Sequence, residues 1–381
     1  MFQTFDVTSR PEQAAPRITA LRVAMTDARL DAFIVPRADA HQGEYVAACD
    51  ERLAWLTGFT GSAGFCVVAR NGAAMFTDGR YTMQVRAQCD ADLFEYVDWP
   101  ATSIGEWILP RKAETIGFDP WLHTEQEINA LRDTLKGSGK TLVATHNLID
   151  KIWTDRPTRP AAPAVAQPFE LTGMTTEDKF ELVIKALQKA GAQTAVFTLP
   201  DSISWLLNIR GSDVAHNPVV QAFATLNTQG KLHLFADPAK FEDLGPDPRI
   251  VIAPRSEFNP HLQGLEGTVL IDPSSAPYAL RSLIDDSGAT IVLGDDPCIL
   301  PKACKTEAEI AGAREAHLRD GAAVIEFLAW LDAQDPAQHS EISAATALEG
   351  CRAATNQLKD ISFDTISGSG PNGAIVHYRV T

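Results

Sequence analysis

The sequence predicts an α/β protein with two similar three-layer domains, followed by the beginning of an α+β domain. Helix and strand patterns alternate twice, a proline-rich stretch separates the two copies, and longer helical patterns begin at Lys305. At 381 residues the chain is also too long for one ordinary hydrophobic core. We therefore expect domains at residues 1–160, 161–304 and 305–381.

The first α/β unit begins with an amphipathic pattern. Residues 16–30 place Ile18, Leu21 and Met25 at helical spacing, and the apolar run AFIVP follows as a buried strand. The segments GFCVVAR and AAMFTD flank Asn71-Gly72. Because both residues of this dipeptide tolerate positive φ, the pattern predicts a tight hairpin.

The stretch PTRPAAPAVAQP, residues 157–168, separates the two units. Proline fixes φ and removes an amide donor, so neither a helix nor a central strand continues through this stretch. We interpret it as a linker.

The segment after the linker repeats the order of the first unit. TEDKFELVIKALQKAG is helical in pattern and TAVFTL is strand-like. In the first unit AFIVP leads to WLTGFTGS, and in the second AVFTLP leads to WLLNIRGS. This shared order predicts a duplication, with Trp55 and Trp205 at equivalent places. TVLIDP, YALRSLID and TIVLG then continue the alternation of strand and helix.

Long helical patterns dominate the last segment. Residues 306–334 have one helical pattern, and a second helix is predicted from Ser340, as its N-cap, to about Lys359. FDTIS and AIVHY are predicted to be short strands around a glycine-rich turn. Two helices and a hairpin bury little core, so we expect this segment to be the start of a third domain.

Composition and charge exclude several classes of function. The net charge of −16 disfavours nucleic-acid and anionic-membrane partners, because their phosphates would repel the chain. The six cysteines form no CxxC pair, which argues against a zinc knuckle and fits a reducing compartment. Without a secretory h-region or a membrane-length apolar run, we expect a cytoplasmic protein.

Seven segments stand out in order along the chain: DAHQGEY, GFTGSAG, FTDGRY, DKIWTDRP, NIRGSDVAHNPV, KTEAEIAGAREAH and SGSGPNGAIVHY. Together they resemble the three-domain Xaa-Pro aminopeptidases of the creatinase-like pita-bread metallopeptidases. The resemblance implies two creatinase-type N-terminal domains and the beginning of a pita-bread catalytic domain. It also implies peptides with proline at position two as substrates, two divalent metal ions, usually manganese, and a homodimer when the enzyme is complete.

Two residues are candidates for the substrate site. Judged by its own surroundings, His377 could be a strand histidine that fills a core position, and Arg80 a solvated arginine before a helix. By resemblance, His377 contacts the peptide and helps to stabilise the tetrahedral intermediate. By resemblance, Arg80 reaches from the first domain to the bound peptide. His216 could line the cleft or pack on its own loop, and the sequence leaves both alternatives open.

The metal ligands implied by the resemblance are not found. Their motifs should follow the His377 segment, and the chain continues for four residues beyond His377. Asp285-Asp286-Ser287-Gly288 imitates one ligand motif but is better interpreted as a surface turn. We therefore expect no metal site in this chain and no activity from these 381 residues alone.

Two other functions compete with this interpretation of the sequence. Relatives of this fold without metal sites serve as binding modules, and the length of the uninterrupted reading frame would distinguish that alternative. A creatinase-like amidinohydrolase is disfavoured, because those enzymes have one N-terminal domain and this chain has two.

Overall fold

A six-stranded mixed sheet forms the centre of the first α/β unit in the computed structural model, which describes residues 1–381. The strand order is β4-β3-β2-β1-β5-β6. Strand β2 runs antiparallel to both β1 and β3, and the other neighbouring strands run parallel. The strands are β1 (Ala32–Pro36), β2 (Phe65–Ala69), β3 (Gly72–Thr77), β4 (Glu95–Asp98), β5 (Thr115–Phe118) and β6 (Thr141–Ala144).

Both faces of this sheet are buried, which makes the unit three-layered. In the central strand β1, Phe33 and Val35 point into one core, and Ala32 and Ile34 point into the other. This alternation follows from the two-residue period of a strand. The helices of this unit are α1 (Ala14–Asp27), α2 (Arg52–Thr57), α3 (Thr82–Gln88), α4 (Ile104–Ile108), α5 (Glu125–Leu135) and α6 (Leu148–Ile152).

No helix and no central strand runs through the proline-rich stretch, as predicted. Its only regular element is β7 (Val165–Ala166), which pairs antiparallel with β9 (Ile209–Arg210). The short helix α7 (Phe169–Thr172) follows it. The linker therefore leads directly into the second unit and pairs with it.

The second unit repeats the topology of the first. Its sheet has the order β12-β11-β10-β8-β13-β14. Each pair of neighbouring strands has the same relative direction as its counterpart in the first sheet. The predicted duplication is therefore confirmed. The strands are β8 (Thr194–Phe197), β10 (Phe223–Asn227), β11 (Leu232–Phe235), β12 (Ile250–Ala253), β13 (Thr268–Ile271) and β14 (Thr290–Leu293).

The helices of the second unit also correspond to those of the first. Trp55 lies in α2, the helix that follows the first strand of its sheet, and Trp205 lies in the equivalent helix α9. The two tryptophans thus occupy matching elements, as the sequence predicts. The helices are α8 (Thr176–Ala190), α9 (Pro200–Leu206), α10 (Phe258–Gln263), α11 (Ala279–Asp285) and α12 (Ile299–Ala303).

The last segment begins with a long helix, α13 (Glu307–Asp332). Thr306 caps it through a reciprocal hydrogen-bond pair with Glu309. A second helix, α14 (Glu341–Ala353), starts after its N-cap Ser340 as predicted, but it ends six residues before Lys359. No helix of the protein is long and apolar enough to cross a membrane.

The two strands predicted around the glycine-rich turn are wrong. The last strand of the protein is β14, and residues 370–374 form a 3₁₀-helix. Backbone N–H groups of this segment bond to side chains instead: Thr365 N donates to Gln3 Oε1 at 2.8 Å, and Ser369 N donates to Glu341 Oε1 at 2.5 Å. A strand requires a neighbouring strand for these groups, and the 381 residues provide none there.

Candidate functional site

Arg80 lies between β3 and α3, where the chain leaves the first sheet. Its Nε donates to Asp78 Oδ1 at 3.0 Å, and its Nη2 donates to Asp78 Oδ2 at 2.7 Å. These hydrogen bonds are the main reason that the pKa of Asp78 is lowered. Asp78 therefore holds the guanidinium group of Arg80 through Nε and Nη2. Its Nη1 makes no hydrogen bond, and the side chain is 39% exposed.

His377 is exposed and lies in the turn that follows the 3₁₀-helix. Its φ of 53° is in the left-handed region, which few residues other than glycine adopt. Its ring makes no hydrogen bond to the rest of the protein. Both ring nitrogens are thus free to meet a ligand, and His377 does not fill a core position.

Tyr81 brings these two residues together. Its ring centre lies 5.7 Å from that of His377 and 5.2 Å from the guanidinium carbon of Arg80. Tyr81 is itself buried, and its hydroxyl lies 2.6 Å from Ser62 Oγ. A fixed aromatic ring therefore links the first unit to the segment that carries His377.

This arrangement suits a polar ligand with an acceptor atom. Arg80 Nη1 is a permanently charged donor, and the His377 imidazole can donate from either nitrogen according to its tautomer. Donors of this kind can hold a carbonyl oxygen or stabilise negative charge that develops on it. The specific roles of Arg80 and His377 remain predictions.

His216 lies between two carboxylates of the last segment. Its Nδ1 lies 3.2 Å from Asp360 Oδ1, and its Nε2 lies 3.3 Å from Asp364 Oδ1. The side chain is 11% exposed. His216 therefore connects the loop after β9 to the segment after α14.

The residues of this protein do not fit a two-metal centre. No group of three or more histidine, cysteine, aspartate or glutamate side chains is arranged to hold a metal ion. Asp285 and Asp286 are exposed at the end of α11, and Gly288 follows with a φ of 81°, which confirms the predicted surface turn. No metal-dependent step is assigned to these residues.

Sequence reasoning missed the partners that organise the site. Asp78 and Tyr81 belong to the same short segment as Arg80, and their proximity in sequence was the available signal. No local pattern could have predicted the carboxylates around His216, because Asp360 is 144 residues away from it in the sequence.

Profiles of two known families cover most of the chain. The creatinase/prolidase N-terminal domain matches residues 17–152, and a second profile of the same description matches residues 155–309. Metallopeptidase family M24 matches residues 311–381.

Individual relatives agree with these matches. A probable Xaa-Pro aminopeptidase P of Coccidioides posadasii is 33% identical over 98% of this chain and 61% of the relative. One from Aspergillus fumigatus is 35% identical over 95% of this chain and 59% of the relative. The chain thus spans about three fifths of the length of the curated relatives it matches.

A solved structure has the same fold. The X-prolyl aminopeptidase of Caenorhabditis elegans, described as a cytosolic enzyme with a di-nuclear active site, superposes with a TM-score of 0.88 at 30% identity. The match covers 96% of this chain and 64% of that one.

Proposed function

This chain belongs to the creatinase/prolidase and M24 metallopeptidase family, and we propose that the protein is an Xaa-Pro aminopeptidase. Such an enzyme hydrolyses the bond between the first residue of a peptide and a proline at position two. The 381 residues provide the side of the site that holds the peptide, and Arg80 and His377 contact it.

The observation that carries this proposal is the shared contact of Arg80 and His377 with Tyr81. The two residues are almost 300 positions apart in sequence, yet both side chains meet one buried ring and keep free donors. A peptide bond that precedes proline has no N–H, so its carbonyl oxygen is the polar group left for recognition. The free N–H donors of Arg80 and His377 are suited to bind this carbonyl oxygen.

Two divalent metal ions, which we propose to be manganese, complete the active enzyme. None of the 381 residues forms a suitable ligand cluster, so other residues would have to bind these ions. The di-nuclear site of the C. elegans neighbour supports the number of ions. A metal analysis of an active preparation would identify the element.

The proposed activity can be tested with a polypeptide in which these residues are continued through a complete M24 domain. Two peptides that differ only in proline or alanine at position two are incubated with it in the presence of manganese. We expect release of the first residue from the proline peptide alone. Equal cleavage of both peptides, or cleavage of neither, would refute the proposal.

The remaining features of the proposal are a cytoplasmic location and a homodimer. The C. elegans neighbour is described as cytosolic, which supports the location. The homodimer follows from the resemblance and can be tested by light scattering on the same extended polypeptide. The matched relatives cited above are named as aminopeptidases, so the metal-free binding module is not favoured.

A further inference from the structure

A cavity of about 470 Å³ lies where the first unit, the linker and the second unit meet. Its charged lining residues are Arg159 from the linker and Lys240, Arg255 and Asp237 from the second unit. His41, from the loop after β1, forms part of the wall. The cavity thus has three cations and one carboxylate, in a chain that has 16 more acidic than basic residues.

Arg255 lies over three aromatic rings in this cavity. Its guanidinium carbon is 4.2 Å from the ring centre of Phe223, 4.9 Å from Trp121 and 5.3 Å from Phe258. Burial, and next the charge of Arg159, lower the pKa of Arg255 to about 10. The side chain of Arg255 makes no hydrogen bond and no ion pair within the protein. Stacking therefore positions the planar guanidinium group of Arg255, and none of its N–H groups donates to an acceptor of the protein.

Arg159 is also without a partner. It is exposed, and it forms neither a hydrogen bond nor an ion pair with any residue of the chain. The charge of Arg159 contributes to the lowered pKa of Arg255, so the two cations lie close enough to affect each other.

Lys240 already has a partner, whereas Asp237 forms no ion pair. Lys240 Nζ lies 2.6 Å from Asp213 Oδ2, and both side chains are almost fully buried. Asp237 Oδ1 accepts a hydrogen bond from the backbone N–H of Ala239, which leaves its negative charge in place. The cavity therefore has two unpaired arginines, Arg159 and Arg255, against one carboxylate.

Stacked aromatic rings form the wall around Arg255. His41 stacks on Phe223 with ring centres 4.4 Å apart, and its Nδ1 donates to the Thr198 carbonyl oxygen at 2.9 Å. Phe223 also stacks on Phe258, with ring centres 4.6 Å apart. The aromatic surface beneath Arg255 is thus held by residues of both units, as a preformed site requires.

We propose that this cavity binds a small multivalent anion whose charge is carried by phosphate or carboxylate groups. Two guanidinium forks can each hold two oxygen atoms of such a group, and the cavity has room for more than one group. The site is separate from that of Arg80 and His377 and does not depend on the proposed peptidase activity.

The test measures binding to the 381-residue chain by isothermal titration calorimetry, at fixed ionic strength. Pyrophosphate and citrate serve as separate probes. Arg159→Ala removes an exposed side chain without partners, and Arg255→Lys keeps the charge over the rings but removes the planar fork. Arg314→Ala is the matched control, because Arg314 is an exposed arginine of α13 that also lacks a partner.

We expect saturable binding by the unmodified chain, weakened roughly tenfold in each cavity variant and unchanged in the control. Tighter binding of pyrophosphate would identify phosphate as the ligand chemistry, and tighter binding of citrate would identify carboxylate. The proposal is wrong if neither probe binds, or if both cavity variants bind as the unmodified chain does. It is also wrong if Arg314→Ala weakens binding as much as Arg159→Ala, which would indicate a general effect of net charge.

Discussion

The ammonium group of Lys179 lies 4.4 Å from the ring centre of Trp205 and donates a 2.8 Å hydrogen bond to the carbonyl oxygen of the same residue. The first unit repeats this relationship. The guanidinium carbon of Arg17 lies 4.3 Å from the Trp55 ring centre, and Nη1 bonds to the Trp55 carbonyl oxygen. Both cations lie on the first helix of their unit, so the duplication includes side-chain contacts as well as topology.

Replacing Lys179 with methionine should destabilise the second unit. The change removes a charged hydrogen-bond donor from a buried acceptor, the Trp205 carbonyl, and from a partly buried one, Asn208 Oδ1, and it also removes the cation–π contact. We expect a loss of about 2 kcal/mol in the free energy of unfolding, measured by urea denaturation. Lys185→Met, at an exposed position of α8, is the control and should change stability by less than about 0.5 kcal/mol. Equal losses in the two variants would contradict this explanation.

Arg80 and His377 should affect turnover and leave metal content unchanged. In a polypeptide continued through a complete M24 domain, we expect His377→Ala to lower kcat by roughly 10²–10³, because a donor to a developing oxyanion is lost. Arg80→Ala should raise KM roughly tenfold, through loss of a charged hydrogen bond. Metal stoichiometry is measured on the same samples.

Arg86→Ala is the control for these variants, since Arg86 stacks on Tyr96 and not on Tyr81. If either site variant binds fewer metal ions and regains full activity when manganese is added, that residue supports the metal centre and our assignment is wrong.

The 381 residues alone should not hydrolyse an Xaa-Pro peptide. They contain no cluster of side chains suited to a divalent ion, and metal-dependent hydrolysis needs such a cluster. The measurement is release of the first residue in the presence of manganese, compared with a buffer blank. Release above the blank that a chelator abolishes would show that these residues do assemble a metal site.

His123 should make the protein less stable in mild acid. Burial lowers the pKa of His123 from 6.5 to about 4, and Nε2 has no hydrogen-bond partner. Between these pH values the unfolded chain binds a proton that the folded chain does not, so stability decreases as the pH falls from about 6.5 to about 4. The expected loss from this residue is about 3 kcal/mol.

The contribution of His123 can be isolated with His123→Gln, which does not titrate. Urea denaturation of both proteins across this pH range should show a weaker acid dependence for the variant. Identical pH dependences would mean that His123 is not buried as a neutral ring.

Local patterns were sufficient to predict much of the fold. AFIVP was predicted as a buried strand and forms β1 over the same five residues, because its neighbours in the sheet are present on both sides. AIVHY is similarly apolar and does not form a strand, because no strand lies beside it. The intrinsic preference of a short segment is thus realised only where its backbone groups find partners.

The site was predictable only in part for a related reason. Arg80 could be found from its short segment, and its anchor Asp78 is two residues away. The ring contact between Tyr81 and His377 joins residues at distant positions of the chain, and no periodicity records such a contact. The same is true of Arg159 and Arg255, which line one cavity from distant positions of the chain and form no ion pair.

The two matching sheets have a consequence for how the protein folds. Every strand of the first sheet lies within residues 32–144, and every strand of the second within residues 194–293. During synthesis the first sheet can therefore close before the strands of the second leave the ribosome. Two units of identical topology could otherwise exchange strands, and their order along the chain reduces this risk of misfolding.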